Sequence, residues 1–186
     1  MVKALVGIAD GSEDIEAVSI IDTLRRGGVE VTVASVMDSQ QITCANGTKI
    51  TADAMISDCD GQQWDAVIAP GGMPGAEHLS DNAVFTGLMK KQLADNKVAA
   101  AICASPAVVM AKHGMLDGKK ATCYPGFEEL LLESATMALT EAVVVDENIV
   151  TSRGPATAVT FALVLVGKLC GPEKSREVGQ GMLATA

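Results

Sequence analysis

Aromatic residues are scarce in this sequence, and positive charge is in deficit. One Trp, one Tyr and three Phe occur among 186 residues, so the core must be built from aliphatic side chains and methionine. The stacking platforms to which single-stranded nucleic acids bind are therefore missing. Lys and Arg number 14 against 23 Asp and Glu, a net charge of −9, and no Lys/Arg run would attract a phosphate backbone. We expect no nucleic-acid partner.

Metal-binding and membrane signals are also missing. The sequence has two histidines and five cysteines, with no Cys-x-x-Cys pair. This pattern disfavours a disulfide framework or a tetrahedral zinc site, and we expect no metal and no cofactor. The most apolar stretch near the end, 156–167, is far shorter than the roughly 20 residues that cross a bilayer, and the N-terminus lacks a secretory signal. We therefore expect a cytoplasmic protein that does not bind membranes.

The remaining composition is that of a folded chain. Apolar residues make up 48% and charged residues 20%, and the length predicts one domain over 1–186. Apolar runs typical of buried strands alternate along the chain with segments whose apolar residues recur at helical spacing. This alternation predicts an α/β fold with a mainly parallel sheet. Strands are expected at 4–9, 29–36, 64–69, 98–102, 141–145 and 149–152. Helices are expected at 15–26, 82–95, 155–169, from 172 onward, and from Cys103 to about His113, and Asn46-Gly47 predicts a hairpin within 41–56.

Cys103 is the strongest candidate for chemistry. It lies where a buried strand meets a helix start, with Pro106 suited to the first helical turn. A side chain there stands at the carboxyl edge of the sheet, where ligands bind in open α/β folds. A helix N-terminus favours a thiolate, and the small residues around Cys103 permit the sharp turn of a nucleophile elbow. The alternative is a buried structural cysteine, the commonest role of a free thiol.

Two further segments fit a site at the same edge. Gly71 and Gly72 follow another core strand and would let backbone N–H groups approach a bound oxygen, although a tight turn alone explains them equally well. Glu16 stands in the first helix, which can aim one side chain into such a cleft. A carboxylate beside a thiolate is stable only if one proton is shared or the acid stays protonated. Tyr124 is a candidate wall or hydroxyl donor, and Arg153 a candidate anion clamp or dimer contact.

Five segments in order along the chain resemble the ThiJ/PfpI superfamily, in particular its DJ-1 branch. They are Gly11-Ser-Glu-Asp-Ile-Glu16-Ala, Asp22-Thr-Leu-Arg25-Arg26, Pro70-Gly71-Gly72-x-x-Gly75, Ala99-Ala-Ala-Ile-Cys103-Ala-Ser-Pro106 and Thr151-Ser-Arg153-Gly-Pro155. The resemblance implies a doubly wound α/β fold with a mostly parallel sheet sandwiched by helices, similar to flavodoxin and to class I glutamine amidotransferases. It also implies a homodimer, and Arg25 and Arg153 are each candidate contacts either to a bound anion or to the second copy.

The resemblance implies roles for the site residues as well. Cys103 would be the oxidisable nucleophile, Glu16 the acid that hydrogen-bonds its sulfur, and the amides of Gly71, Gly72 and Ala104 an anion pocket. Family members are described as cofactor-independent glyoxalases acting on methylglyoxal, as deglycases and as redox-responsive chaperones. The expected partner is thus a small reactive dicarbonyl compound.

This sequence departs from the family pattern at two positions. Ala104 follows the nucleophile where the protease-like branch has histidine, which disfavours proteolysis. Tyr124 stands where many DJ-1 relatives have histidine, so any mechanism that needs an imidazole there loses its base. A glutamine amidotransferase also needs a partner histidine. The leading hypothesis is a glyoxalase or deglycase using Cys103 and Glu16, and the alternative is a redox sensor and stress-response chaperone with an oxidised Cys103.

Overall fold

The computed structural model describes residues 1–184, in which strands and helices alternate. The strands are β1 (Lys3–Ile8), β2 (Glu30–Ser35), β3 (Gln41–Thr43), β4 (Lys49–Thr51), β5 (Ala54–Met55), β6 (Ala66–Ala69), β7 (Val98–Ile102), β8 (Lys120–Thr122), β9 (Met137–Leu139), β10 (Val143–Asp146) and β11 (Ile149–Ser152). The helices are α1 (Asp14–Arg26), α2 (Gly75–Asp81), α3 (Ala83–Ala94), α4 (Glu128–Leu131), α5 (Ala158–Cys170) and α6 (Pro172–Gly181). Thr185 and Ala186, the end of the expected domain, lie outside the described residues. Within 1–184 no helix is long and apolar enough to cross a membrane.

Seven strands form the central sheet, in the order β10-β11-β7-β6-β1-β2-β5. All neighbours pair in parallel except β10 and β11. The chain moves outward from β1 through β2 to β5, then returns to the other side of β1 with β6 and continues through β7. The direction of winding therefore reverses between β1 and β6, which is where ligands bind in such sheets. The doubly wound α/β fold is confirmed.

The core lies on both faces of this sheet. On one face α1 and α5 pack through Ile20, Leu24 and Phe161, and on the other α3 packs through Phe85 and Met89. Strands that are covered on both faces need apolar residues at successive positions. This explains why the strands expected at 4–9 and 98–102 appear in the sequence as continuous apolar runs, whereas the strand expected at 29–36 alternates.

The structure differs from the expectation in its short elements. The hairpin forms between β3 and β4, but β5 leaves it and pairs in parallel with β2 at the edge of the main sheet. The helix expected after Cys103 is a π-helical turn at Pro106–Met110 followed by a 3-10 turn at Ala111–His113. Four elements were not expected from the sequence: α2, α4, β8 and β9. The last three have only three or four residues each, too few for a periodic pattern to register.

Gly7 on β1 provides a test of how tightly the sheet packs on α3. A Cβ at this position would overlap the ring of the fully buried Phe85. We expect Gly7→Ala to lower the free energy of unfolding by about 1–3 kcal/mol because the ring has no free space to enter. The measurement is urea denaturation.

Gly87 is the matched control, since it lies on the exposed face of α3 and a Cβ there would have no neighbouring atom within 4 Å. Gly87→Ala should raise the free energy of unfolding by about 0.5–1 kcal/mol through helix propensity alone. Equal effects of the two substitutions would contradict the packing described for Gly7.

Candidate active site

Three loops meet at the carboxyl ends of β1, β6 and β7. The Glu13 amide donates to the Gly71 carbonyl at 2.9 Å, which joins the first loop to the second. The Ser105 hydroxyl donates to the Pro70 carbonyl at 2.6 Å, which joins the third loop to the second. Gly72 has a φ of +85°, and a Cβ there would collide with the backbone of the first loop. Only glycine permits this approach, so the loops are fixed relative to one another.

Cys103 occupies a strained position in the third loop. Its φ is +66°, an unfavourable conformation for a residue with a side chain, and its exposed fraction is 9%. Two hydrogen bonds hold this backbone. Its amide donates to the Ser152 carbonyl at 2.9 Å, and its carbonyl accepts from the Tyr124 amide at 2.8 Å. The turn therefore has the geometry expected of a nucleophile elbow.

Glu16 is fully buried in the first turn of α1. The Glu13 carboxylate accepts the Glu16 amide at 2.7 Å and caps the helix. Oε2 of Glu16 accepts the Gly71 amide at 2.7 Å, whereas Oε1 is buried without a nitrogen or oxygen partner among the described residues. A Cβ on Gly71 would overlap both Cys103 Cβ and Glu16 Oε2, so the carboxyl and the cysteine are close neighbours. A hydrogen bond between Glu16 and the thiol stays a prediction.

Gly71 has a different role from the one expected. Its amide is donated to Glu16 and is therefore not free to bind a substrate oxygen, so its place in the anion pocket was wrong. A Cβ at Gly71 would overlap Cys103 Cβ and stand 2.8 Å from Glu16 Oε2. The absence of a side chain is what lets the carboxyl and the cysteine approach the same point.

The other two expected donors lie at the sulfur. The amides of Gly72 and Ala104 face the sulfur of Cys103 and lower the pKa of its thiol. Two amides directed at one atom can hold a thiolate or an oxyanion bonded to its carbon.

Burial and mutual repulsion control the ionisation of the pair. Burial, with a smaller contribution from the Glu13 charge, raises the pKa of Glu16 to about 7. Burial and the charge of Glu16 raise the pKa of the Cys103 thiol well above its usual range. Each group is therefore penalised when the other is ionised, and the pair holds at most one negative charge near neutral pH. When Glu16 keeps the proton, the Gly72 and Ala104 amides remain to stabilise the thiolate.

Tyr124 and Arg153 lie close to Cys103 along the backbone hydrogen bonds. Tyr124 bonds directly to Cys103, and Arg153 follows Ser152, which also does. Tyr124 is 45% exposed, and its ring rests against Gly154, where a Cβ would stand 3.2 Å from Cδ2. Arg153 follows Ser152, and its guanidinium donates to the Thr140 carbonyl at 3.0 Å. Both residues border a depression of about 260 Å³. Neither side chain makes a hydrogen bond to Cys103 or Glu16 within residues 1–184.

Arg25 does not belong to this site. It lies nine residues after Glu16 on α1, roughly 14 Å along the helix axis. Its guanidinium pairs with Asp53 at 3.1 Å and reaches the Val31 carbonyl at 3.3 Å. An anion-binding role for Arg25 at Cys103 is therefore wrong, and only its expected dimer contact stays open.

Several supporting residues were not recognised from the sequence. Ser105 braces the β6 loop, and Asp14 accepts the amides of Asn46 and Thr48 at 2.8 and 3.0 Å, which fastens the β3–β4 hairpin to α1. The position of Glu13 and Asp14 at a helix start indicated a favourable interaction with the helix dipole. It did not indicate the hydrogen bonds that these two side chains accept. Among residues 1–184 no cluster of three or more His, Cys, Asp or Glu side chains could hold a metal ion.

With this geometry established, the chain can be compared with known proteins. The model of the DJ-1/PfpI family matches residues 2–168. The chain belongs to the DJ-1/PfpI family. Among solved structures, oxidised DJ-1 of Toxoplasma gondii superposes with a TM-score of 0.96 at 44% identity, and the match covers 100% of both chains.

Relatives of this family occur in plants and animals. Protein DJ-1 homolog B of Arabidopsis thaliana is 46% identical over 95% of this chain, but the chain spans only 40% of that relative. It spans 46% of Arabidopsis homolog A, so it has less than half the length of either plant protein. Drosophila melanogaster dj-1beta is 37% identical, with 97% of this chain and 96% of the relative covered. The Caenorhabditis elegans protein named glutathione-independent glyoxalase DJR-1.2 is 34% identical, with 91% and 89% covered.

The shared proton of the site can be tested with Glu16→Gln. This change removes the charge and the hydrogen bond with which Glu16 raises the pKa of Cys103, whereas the Gly72 and Ala104 amides remain. We expect the thiol pKa to fall in the variant, so that the thiolate forms in one step at lower pH rather than in two coupled steps. The pH dependence of ultraviolet thiolate absorbance and of iodoacetamide alkylation measures this change.

Glu30→Gln is the control, because Glu30 is an exposed carboxylate at the start of β2. It should leave the Cys103 titration unchanged. A Glu16→Gln thiol that titrates at the same pH as the wild type, or higher, would contradict the coupling.

Proposed function

We propose that the protein is a cofactor-independent glyoxalase that converts methylglyoxal or glyoxal to the corresponding hydroxy acid. The observation that carries this proposal is the buried Glu16 carboxyl, with its pKa raised to about 7, beside a strained thiol that faces two backbone amides. A group that exchanges its proton near neutral pH is suited to acid–base catalysis. The relative from Caenorhabditis elegans with a glyoxalase name adds support, because the match covers 89% of its length.

The first step joins the aldehyde to sulfur. The Cys103 thiolate attacks the aldehyde carbon of the substrate and forms a carbon–sulfur bond. Negative charge moves to the aldehyde oxygen, which the Gly72 and Ala104 amides stabilise. Glu16 gives its proton to this oxygen, which yields a neutral thiohemiacetal and a carboxylate. The pair therefore carries one negative charge before and after the step.

The second step moves a proton between carbons. The Glu16 carboxylate removes the hydrogen of the former aldehyde carbon as a proton, and an enediolate forms whose negative charge lies on the oxygen of the neighbouring carbonyl. Glu16 returns the proton to that neighbouring carbon, while the hydroxyl proton of the former aldehyde carbon passes to the enediolate oxygen, which produces a thioester of the hydroxy acid. Water then hydrolyses the thioester and restores the Cys103 thiol. The net change is the addition of one water to the dicarbonyl compound, and no histidine is required at position 124.

The same reaction would extend to deglycation. The early adduct of an amine with methylglyoxal releases free aldehyde reversibly, and removal of that aldehyde draws the adduct back to the amine. Deglycase activity would thus follow from the glyoxalase reaction and need no further residue. We propose that the fold acts as one domain in a reducing compartment such as the cytoplasm, which is consistent with five free cysteines.

The test is lactate production from methylglyoxal by purified, reduced protein, without glutathione and with a chelator present. Cys103→Ser should abolish turnover. Glu16→Gln should lower kcat by roughly 100-fold or more, because the proton can no longer move between the two carbons.

Cys170→Ser is the matched control, since this thiol lies at the end of α5 and should tolerate the change without loss of turnover. Wild-type activity in Glu16→Gln would contradict the mechanism. An inactive wild type would contradict the proposed reaction itself.

The second candidate function is a redox sensor, and the unpartnered Oε1 of Glu16 favours it. A protonated Oε1 can donate to an oxygen bonded to sulfur, and the Gly72 and Ala104 amides can bind a second one. Peroxide would supply both oxygens: the thiolate attacks the first peroxide to give a sulfenic acid and hydroxide, and a second equivalent gives the sulfinate and water. The pocket would then hold a single anion in place of the thiolate.

Limited peroxide treatment followed by peptide mass analysis tests this second function. Cys103 should gain two oxygens before Cys44 does. Burial and nearby carboxylates raise the pKa of both thiols, but only Cys103 has the Gly72 and Ala104 amides and the Glu16 carboxyl to hold the oxygens of a sulfinate. The Cys103 sulfinate should form less readily in Glu16→Ala than in the wild type. Oxidation of Cys44 or Cys170 at the same rate as Cys103 would contradict the sensor function.

We also propose that two copies associate through α1. Ile15 and Val18 on this helix are 57% and 49% exposed, which is unusual for large apolar side chains so close together. Val18 borders a depression of about 320 Å³ that also includes Arg25 and Ile50. This face suits a second copy of the chain, with the Arg25–Asp53 ion pair at its border.

Light scattering after size-exclusion chromatography tests the association. The wild type should have the mass of a dimer, and Val18→Glu that of a monomer, because a charge would be buried in the contact. Val145→Glu, at an exposed position of β10, is the control and should remain dimeric. A monomeric wild type would contradict the proposal.

A further inference from the structure

Two large apolar side chains are exposed next to Cys103. Met73 is 42% exposed and directly follows Gly72, whose amide lowers the pKa of the Cys103 thiol. Tyr124 is 45% exposed, and its amide donates to the Cys103 carbonyl at 2.8 Å. Each side chain is therefore carried by backbone that lies next to the candidate nucleophile.

The remaining exposed apolar side chains stand on other elements. Ile15 and Val18 belong to the α1 face described above, and the others are Met1, Leu132, Met137, Val145 and Leu183. A single exposed apolar residue needs no explanation, but two that flank a reactive thiol make its surroundings apolar. We call Met73 and Tyr124 the apolar rim.

Tyr124 also borders a depression of about 260 Å³, which Met73 does not line. Its other lining residues are Pro125, Arg153, Gly154, Pro155, Ala156 and Thr157. The volume is below the roughly 300–1,000 Å³ of sites for drug-sized ligands, so it suits one ring or a short alkyl chain. Arg153 is the one charged residue in this lining, and its guanidinium is engaged with the Thr140 carbonyl.

We propose that the apolar rim binds the substituent on the ketone carbon of a 2-oxoaldehyde, so that the protein selects apolar and aryl-substituted 2-oxoaldehydes over glyoxal. This inference rests on the proposed glyoxalase function. In the thiohemiacetal the sulfur is bonded to the former aldehyde carbon, and the substituent is on the next carbon. The short tether places it at the edge of the thiol pocket, where Met73 and Tyr124 stand.

The two residue types suit such a role. A methionine side chain is flexible and polarisable, so it adapts to substituents of different shape. A tyrosine ring packs face or edge against another ring and keeps its hydroxyl in water. Burial of each additional methylene against this rim is expected to increase kcat/KM by about fourfold.

The first measurement compares kcat/KM for glyoxal, methylglyoxal and phenylglyoxal from initial rates. In the wild type the values should increase in that order. Met73→Ser and Tyr124→Ser should each lower the ratio of phenylglyoxal to glyoxal by about tenfold, because the apolar contact area is lost. Tyr124→Phe should keep the ratio, and Val145→Ser, an exposed apolar position on β10, should not change it.

The second measurement does not depend on turnover. The rates at which N-phenylmaleimide and N-methylmaleimide alkylate Cys103 are compared by peptide mass analysis, each divided by its rate with glutathione. The wild type should prefer the phenyl reagent, and the two serine variants should lose that preference while Val145→Ser keeps it.

The outcomes separate the two proposals. Turnover without any preference in either assay would overturn the rim and leave the glyoxalase function standing. A phenyl preference in alkylation that the serine variants lose, with no turnover of any 2-oxoaldehyde, would support the rim and overturn the glyoxalase function. A preference that Met73→Ser and Tyr124→Ser leave unchanged would also overturn the rim.

Discussion

The site depends on one hydrogen bond, from the Gly71 amide to Oε2 of Glu16 at 2.7 Å. This bond joins α1 to the loop after β6, two segments that are 55 residues apart in the chain. It requires a glycine, because a Cβ would displace both the carboxyl and Cys103. Oε2 lies near Cys103, and Oε1 is buried without a hydrogen-bond partner among residues 1–184. The sheet, the caps and the loop contacts keep these groups in place.

Because of that arrangement, the ionisation of the Glu16 carboxyl and that of the Cys103 thiol are coupled. Burial raises the pKa of both Glu16 and Cys103, and the charge of Glu16 raises that of the thiol further. Aqueous solvation, which normally keeps a carboxyl ionised, is replaced by a single amide. The acid is therefore ready to donate, and after donation it becomes the base. One residue can perform both steps of an isomerisation without a metal or an imidazole.

The proposed catalysis and the proposed oxidation would draw on the same features. Both would begin with a thiolate stabilised by the Gly72 and Ala104 amides, and both would place an oxygen where Glu16 can donate to it. The two differ in the atom that carries the oxygen, carbon in the first and sulfur in the second. The reagent that reaches Cys103 would therefore decide between them.

The sequence was sufficient for the long elements, and it led to the same pair of residues, Cys103 and Glu16, that the structure places side by side. The apolar strand before Cys103 and the small residues around it indicated the elbow, and the acid at Glu16 was recognised from its position in the first helix. The role of Gly71 was missed because a hydrogen bond between distant segments leaves no periodic signal. Likewise β5 was assigned to the hairpin, because its two residues pair with a strand that precedes the hairpin.

The central claim is that Glu16 keeps a proton near neutral pH, and the direct measurement is a carbon-13 NMR titration of its side-chain carboxyl. The resonance is assigned by its absence in Glu16→Gln. We predict a midpoint near the pKa of about 7 that burial beside Cys103 imposes. A midpoint in the ordinary range of glutamate, about 4.3, would contradict this claim, because the acid would then have no proton to give to an oxygen on carbon or on sulfur.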